Sequence, residues 1–296
     1  TSNGMTQKEL ESVLVKNKLL DGTIWTMPIL LQLGKLGNNL PKVGERIILT
    51  DEDDQIYAFM DVSESYTIDI DSVAQKWFGT SSNEHPGVLR FKEKGSHCVS
   101  GDITLVKRFP TRYRHYQLIP AQTRLLFSHK GWDRIVAFHT RNPAHRVHEF
   151  IQMSALESTH ADGLYISPVI GPKKPGDFLG KQVLESYQML ISMNVYPEAK
   201  VSLGSFATYS RYCGPREAIF TAIARKNMGC SHFIVGRDHT GVGNFYGPDD
   251  NRKLFEEIGD IGIKPVFFNN IGYDLKLDSY CEVGTNNKLI NISGTE

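Results

Sequence analysis

The residues with the most potential for chemistry lie in the stretch HTRNPAHRVHE, residues 139–149, which directly follows the apolar run IVAF. Asn142 is a favourable helix cap and the proline after it suits the first helical position, so a helix is predicted to begin there. His145 and His148 then lie three residues apart on one face of the opening turn. The N–H groups and dipole of a helix start favour an anion, and Arg141 adds a planar donor fork. These residue types at this spacing indicate phosphate or sulfate binding.

A second candidate stretch is GRDHTGVGNFYG, residues 236–247, which follows the apolar run HFIV. Gly236 lets the backbone approach a ligand, and Arg237 offers a second donor fork. Asp238 and His239 can orient one another by hydrogen bonding. Two arginines and two or three histidines around one crevice suit a nucleotide triphosphate together with a second anion.

Plainer interpretations stay open at this point. The Asn-Pro pair alone only marks a helix start, the glycines alone only a connection, and single histidines often lie at the surface. A metal site made of His139, His145 and His148 is also conceivable. The only nearby carboxylate, Glu149, would point to another helix face, so no metal site is predicted. Arg216, in the segment YCGPREA, is interpreted as structural and paired with a carboxylate.

The elements that must position these stretches form two patterns. The first third has a β bias, with a helix predicted at 9–17, a hairpin at 45–69, and strands at 88–91 and 102–109. From residue 120 onward, amphipathic helices alternate with short apolar strands, which are predicted at 134–139, 163–170, 199–205, 232–236 and 264–268. This alternation predicts an α/β fold, a parallel sheet covered by helices on both faces. In such sheets the ligand site lies beyond the carboxyl ends of the strands, where both candidate stretches lie.

Composition narrows the class of protein. Lysine plus arginine and aspartate plus glutamate number 33 each, so no broad basic field exists to recruit nucleic acid. The four cysteines lie far apart, which is typical of reduced thiols rather than of a zinc site. No apolar run reaches the roughly 18 residues of a membrane span, and no signal-peptide pattern begins the chain. We therefore expect a soluble, cytoplasmic protein without a membrane or nucleic-acid partner.

The two stretches together resemble the ATP sulfurylases (sulfate adenylyltransferases). TRNPAHRVHE is similar to that family's QTRNPxHRxHE, and GRDHTGVGNFYG is similar to its GRDHAGVGxYYG. The likeness continues in chain order through EHPGV, PAQTRLLFSHKGW, PVIGPKKPGD, YCGPREA and NISGTE. The resemblance implies a β-rich, PUA-like N-terminal domain at 1–119 and a Rossmann-like nucleotidyltransferase domain at 120–266. It also implies that 267–296 begin a C-terminal subdomain that is truncated, and that the chain begins after the family's opening segment.

The resemblance implies a reaction, a set of ligands and a set of site residues. ATP and sulfate would give adenosine 5′-phosphosulfate and pyrophosphate, with Mg²⁺ entering as Mg-ATP, and a homo-oligomer is expected. The implied catalytic residues are Thr140, Arg141, Asn142, His145, His148 and Arg237. The implied ATP-binding residues are His139, Thr140, Arg141, Asn142, His145, His148, Gly236, Arg237, Asp238 and His239. The implied sulfate-binding residues are His139, Arg141, Arg237 and Thr240.

Three positions depart from the family pattern. His139 occupies a glutamine position that contacts sulfate, Thr240 replaces an alanine, and Ser167 stands where a histidine commonly precedes the proline. A histidine that gains charge near pH 6.5 is expected to tighten sulfate binding as the pH falls. Two alternatives to the sulfate-activating enzyme are carried forward. They are a nucleotidyltransferase with another acceptor, and a catalytically weakened homologue that binds nucleotide.

Overall fold

A computed structural model describes residues 3–34, 40–173, 175–237, 239–282 and 290–291 of the chain. Its internal contacts divide the chain into two compact units. Unit 1 comprises residues 1–112, 211–220 and 241–247, and unit 2 comprises 113–210, 221–240 and 248–296. Over the described residues, no helix is both long and apolar enough to cross a membrane.

Unit 1 is built around an antiparallel sheet of four strands. Its elements are α1 (Gln7–Lys16), β1 (Leu31–Leu33), β2 (Arg46–Thr50), β3 (Ile56–Thr67), α2 (Ile70–Phe78), α3 (Pro86–Glu93) and β4 (His97–Leu105). The strand order is β1-β4-β3-β2, and β2 and β3 form the predicted hairpin. Helix α1 begins with a capping box between Thr6 and Glu9. Arg216, predicted to be structural, donates from Nη2 to the carbonyl of Leu14 near the end of this helix.

The strand predicted at 88–91 is wrong, because these residues belong to α3. The ring Nδ1 of His85 accepts hydrogen bonds from the N–H groups of Gly87 and Val88, at 3.1 and 3.2 Å. Pro86 occupies the first helical turn, where its fixed φ angle and missing N–H are favourable. Val88 and Phe91, three residues apart, both enter the core of the unit, and helical spacing accounts for that burial.

Unit 2 contains the predicted parallel sheet. Its elements are α4 (Pro120–His129), β5 (Ile135–Thr140), α5 (Arg146–Ser158), β6 (Gly163–Pro168), α6 (Gly180–Ser192), β7 (Val201–Leu203), α7 (Pro215–Asn227, of which 221–227 fall in this unit), β8 (His232–Val235), α8 (Asp250–Ile258), β9 (Lys264–Phe267), β10 (Ile271–Asp274), β11 (Ser279–Glu282) and β12 (Ile290–Asn291). Strands β5 to β9 are parallel in the order β7-β6-β5-β8-β9, and β11-β10-β12 form a small antiparallel sheet. The division at 119 and 266 stays a prediction.

Helices cover both faces of the parallel sheet, as its apolar strands predict. Successive side chains on a strand point to opposite faces. Val136 and Phe138 of β5 pack in one cluster with residues of α5 and α6. Tyr165 of β6 faces the other way, and its ring lies 5.4 Å from that of Phe127 in α4. The sheet is therefore a rigid core layer whose strand ends hold the loops that follow in fixed positions.

Candidate functional site

The two candidate stretches leave adjacent strands at the same edge of the sheet. β5 and β8 are hydrogen-bonded neighbours, and both are parallel, so their carboxyl ends face the same side. From this pair the sheet extends through β6 and β7 in one direction and through β9 in the other. A change of direction in strand order opens a crevice at the strand ends, where ligands bind in parallel α/β sheets.

A crevice of about 140 Å³ lies at this place in unit 2. Its lining residues come from both loops and from one further segment: His139, Thr140, Arg141, Asn142, Ser210, His239 and Thr240. Ser210 was not predicted from the sequence, because a lone serine in a long connection carries no signal by type or spacing.

The turn after β5 differs from the prediction, since α5 begins at Arg146 rather than beside Asn142. The Oγ1 atom of Thr140 accepts a hydrogen bond from the N–H of Asn142 at 3.1 Å, and Oγ of Ser186 accepts one from the N–H of Ala144 at 2.9 Å. These N–H groups are therefore satisfied outside a helix. The proline after Asn142 also disfavours a helical conformation for Asn142 itself. The result is an extended lead-in that places Thr140 and Arg141 in the crevice before the helix starts.

His145 and His148 are brought together, as predicted, although the helix starts later than expected. Their ring centroids are 3.7 Å apart, and Nδ1 of His148 lies 3.0 Å from the hydroxyl of Tyr187. Burial lowers the pKa of His148 to about 3, with a smaller contribution from the neighbouring His145 ring. Burial also lowers the pKa of His145, whose Nδ1 is buried without a partner among the described residues. Both imidazoles are thus neutral near pH 7, and a neutral imidazole has one N–H donor. The ring of His148 also has a hydrogen bond with the backbone of Pro143.

His139, at the end of β5, contacts a buried arginine. Nη2 of Arg225 lies 2.8 Å from Nδ1 of His139, and Arg225 is completely buried. Burial sets the pKa of His139 well below its usual value, and the positive charge of Arg225 lowers it further. Sequence reasoning missed Arg225, because an arginine in the amphipathic pattern of α7 gives no hint of burial.

Of the predicted residues in the loop after β8, some line the crevice and others do not. His239 is buried in the crevice wall, where burial and then Arg225 lower its pKa to about 3. Thr240 lines the crevice with a left-handed backbone, φ 57°. Arg237 is exposed and, like Gly236, does not line the crevice, while Asp238 lies outside the described residues.

Lys173 is a further cation near the crevice, and it was not among the predicted site residues. Its Nζ donates to the carbonyl oxygen of Arg141 at 3.5 Å. Burial lowers the pKa of Lys173 to about 8. The carboxylate of Asp177 raises this pKa, and the positive charge of Arg141 lowers it further. Lys173 follows the carboxyl end of β6, so its position in a parallel sheet was a usable signal.

The arrangement is suited to holding negative charge. Arg141, Lys173 and Arg225 supply positive charge around His139 and His239, which are themselves neutral. Over the described residues, no group of three or more His, Cys, Asp or Glu side chains could hold a metal ion. The chemistry that this set supports is anion binding and stabilisation of charge that develops on bound oxygens.

Comparison with protein families gives two matches. A family model described as ATP-sulfurylase matches residues 114–296, and one described as a PUA-like domain matches residues 3–108. A solved structure titled "Hexameric APS kinase from Thiobacillus denitrificans" superposes with a TM-score of 0.75 at 20% identity, covering 99% of this chain and 52% of that chain. At that identity the superposition shows the fold alone.

Curated relatives extend over nearly the whole chain. The sulfate adenylyltransferase of Pyrococcus abyssi is 41% identical over 99% of this chain and 76% of its own length. That of Thermococcus onnurineus is 42% identical over 91% of this chain and 69% of its own length. That of Symbiobacterium thermophilum is 38% identical over 90% of this chain and 67% of its own length. Because a family model matches residues 114–296 and these relatives are matched over two thirds or more of their own length, the chain belongs to the ATP-sulfurylase family.

Proposed function

We propose that the crevice binds ATP and sulfate and catalyses adenylyl transfer, which gives adenosine 5′-phosphosulfate and pyrophosphate. The observation that carries the proposal is the crevice at the ends of β5 and β8, lined by Arg141 and by neutral histidine rings. Membership of the ATP-sulfurylase family supports the same reaction. In the part of the chain that the structure describes, no feature favours another acceptor or a purely nucleotide-binding role.

The reaction explains why the site contains donors rather than a strong base. A sulfate oxygen forms a bond to the α-phosphorus while the bond from that phosphorus to the bridging oxygen breaks, and pyrophosphate takes the electron pair. Sulfate is already a dianion, so the transfer step requires no proton removal. Because sulfate is a weak nucleophile, the rate depends on placing it in line and on stabilising charge.

Sulfate is held on the β5 side of the crevice in this proposal. The guanidinium of Arg141 supplies a planar donor fork that matches two sulfate oxygens. His139 donates from the ring nitrogen that does not face Arg225. The backbone N–H of Thr240 supplies a further donor, and Arg237, exposed in this structure, reaches the anion when substrates are bound.

The histidine pair acts on the leaving group. As pyrophosphate leaves, negative charge grows on the bridging oxygen, and N–H donors from His145 and His148 stabilise it. The Tyr187 hydroxyl fixes the ring of His148 through its contact with Nδ1. Thr140 and Asn142 hold the turn that aims Arg141, and Gly236, Asp238 and His239 contact the nucleotide.

Magnesium fits this site as a part of the substrate. The described residues include Arg141, Lys173 and the neutral histidines around the crevice, a donor set suited to phosphate oxygens rather than to a cation. When bound as Mg-ATP, the metal neutralises charge on the triphosphate. Within the family assignment we also propose a homo-oligomer in the cytoplasm, where the four unpaired cysteines would stay reduced.

The direct test is pyrophosphate release from Mg-ATP, measured with and without sulfate, with the nucleotide product identified by mass. Sulfate-dependent release together with adenosine 5′-phosphosulfate is the expected result. Release that depends on a different acceptor would establish the alternative nucleotidyltransferase. Nucleotide binding with no release under either condition would establish the weakened homologue.

A further inference from the structure

We propose that Arg225 is a positioning residue that holds His139 neutral, with the ring proton on Nε2, so that His139 serves sulfate as a permanent uncharged donor. The inference rests on the proposed function for the identity of the anion. The assignment of the proton rests on geometry alone. It concerns a residue that touches neither nucleotide nor sulfate in the mechanism above.

The contact between the two side chains fixes the direction of the hydrogen bond. A guanidinium has only donors, and Nη2 of Arg225 lies 2.8 Å from Nδ1 of His139. Nδ1 must therefore accept, which leaves the single proton of the neutral ring on Nε2. Among the described residues Nε2 has no hydrogen-bond partner, and His139 lines the crevice. A donor is thus available to an anion in the crevice.

Arg225 itself is held firmly enough to impose this state. The same Nη2 donates to the carbonyl oxygen of Ser167 at 2.9 Å, and the guanidinium lies 4.4 Å from the ring centroid of Phe206. The side chain is fully buried, and its charge is therefore weakly screened. Cation–π contact with Phe206 restricts rotation of the planar group.

The charged and titratable groups around His139 act in the same direction. Arg225 comes from α7, His239 from the loop after β8, Lys173 from the loop after β6, and Arg141 from the residues that follow His139. Burial has the largest effect on the His139 pKa, and each of these neighbours lowers it further. The expectation from the sequence that His139 gains charge near pH 6.5 is therefore wrong. His139 stays neutral and donates a hydrogen bond, as the amide of the glutamine in the family pattern would.

The proton assignment can be measured without any assay of activity. Protein labelled with ¹⁵N-histidine is examined by long-range ¹H–¹⁵N NMR from pH 5.5 to 8.5, and the His139 signals are identified by their loss in His139→Gln. The expected result is an unprotonated Nδ1 and a protonated Nε2 at every pH. A proton on Nδ1, or a cationic ring with a midpoint in this range, would overturn the proposal.

Kinetics test the consequence for sulfate. In Arg225→Gln the His139 ring loses its cationic neighbour, so its pKa rises and sulfate binding strengthens as the ring gains a proton. The Michaelis constant for sulfate should then fall by about tenfold between pH 7.5 and 5.5, for a binding-linked pKa shift of about one unit. The double variant Arg225→Gln with His139→Gln should vary by less than about twofold. Arg225→Lys keeps a cationic donor and should retain the pH response of the unmodified protein.

Each outcome bears on one proposal at a time. Parallel pH profiles of Arg225→Gln and the double variant would show that the effect does not pass through His139 and would contradict the inference. If Arg225→Gln does not fold, Arg225→Lys and the NMR measurement on the unmodified protein still decide it. Absence of any sulfate-dependent reaction would refute the proposed function, while the NMR result would still establish or reject the pairing of Arg225 with His139.

Discussion

Arg141 and Arg146 lie in the same segment, but their surroundings differ. Arg141 lines the crevice, whereas Arg146 is largely exposed and pairs with Glu149 at 2.7 Å. We expect Arg141→Ala to lower kcat/KM for sulfate about a hundredfold or more, because a contact made to transition-state charge is worth about 3 kcal/mol. Arg146→Ala is the matched control and should change the rate little, since exposed ion pairs contribute little. Similar losses in both variants, or none in Arg141→Ala, would remove Arg141 from the mechanism.

The histidine pair allows a different kind of test. His145→Ala and His148→Ala should each lower kcat by about tenfold or more and change ATP binding less, because the stabilised charge appears only as pyrophosphate leaves. ATP affinity by calorimetry and turnover by pyrophosphate release separate the two effects. His129, exposed at the end of α4, supplies the control substitution to alanine. A loss of ATP affinity at constant kcat would make the pair a binding site only.

At the residue scale the sequence shows which side chains carry charge, but it does not show which of them are buried in the fold. The positions of His139 and Arg141 at the crevice could be predicted, because both residues lie at the end of an apolar strand. Arg225 could not, because its role depends on Phe206 and Ser167, which approach it only in the fold. Lys173 could also have been predicted, because it follows the carboxyl end of β6. Its lowered pKa, however, results from burial that no spacing reveals.

Among the elements, the loop after β8 offers a test through Gly236. A Cβ atom built at Gly236 meets nothing within 4 Å, and its φ angle lies outside the left-handed region, so alanine fits the fold. We expect Gly236→Ala to keep the thermal midpoint within about 2 °C, since surface changes rarely exceed about 0.5 kcal/mol. It should nevertheless raise the Michaelis constant for ATP severalfold, because the added methyl group occupies space that the nucleotide needs.

A second glycine provides the contrast for that experiment. A Cβ atom at Gly163, which begins β6, would lie 2.3 Å from the Trp132 ring. Gly163→Ala should therefore lower the thermal midpoint, because the buried tryptophan must move. If Gly236→Ala were the less stable variant, or if it left ATP kinetics unchanged, the loop would not approach the nucleotide as proposed.

The elements themselves show where sequence patterns succeed. The five parallel strands could be predicted, because short apolar runs that alternate with amphipathic helices are typical of a parallel sheet buried on both faces. The helix α3 was missed since Val88 and Phe91 also fit a short strand, and the decisive cap comes from the His85 ring. The late start of α5 depends on Ser186 and the Thr140 side chain capturing N–H groups, which are contacts between separate elements.

For the molecule as a whole, buried neutral histidines predict sensitivity to acid. The pKa values of His148 and His239 are lowered to about 3, and that of His139 also lies below its ordinary value of 6.5. The unfolded chain therefore binds more protons than the folded chain below pH 6.5, and stability falls as pH falls through that range. His148 and His239 should each cost about 2 kcal/mol at pH 5 relative to pH 7, and His139 acts in the same direction.

Urea unfolding of the full chain at pH 7, 6 and 5 checks this, with the transition of unit 2 followed separately. The urea midpoint should fall at each step, and His239→Asn should weaken the dependence on pH, because it removes one of the buried rings that take up a proton on unfolding. A midpoint that does not change between pH 7 and 5 would mean that the rings are solvated or already charged in the folded state.

Unit 1 is formed by discontinuous segments of the chain, and this has a consequence for recombination between the genes of such proteins. The PUA-like match ends at residue 108, yet the unit also includes residues 211–220 and 241–247. From these later segments, Cys213 and Phe220 enter its apolar core, and the carbonyl of Tyr212 lies 2.9 Å from Nε2 of His85. A polypeptide that stopped at residue 112 would lack those core residues and the partner of a buried imidazole. Exchange of such a unit between proteins therefore cannot proceed by swapping one continuous stretch of coding sequence, and recombination breakpoints near residue 112 should be selected against.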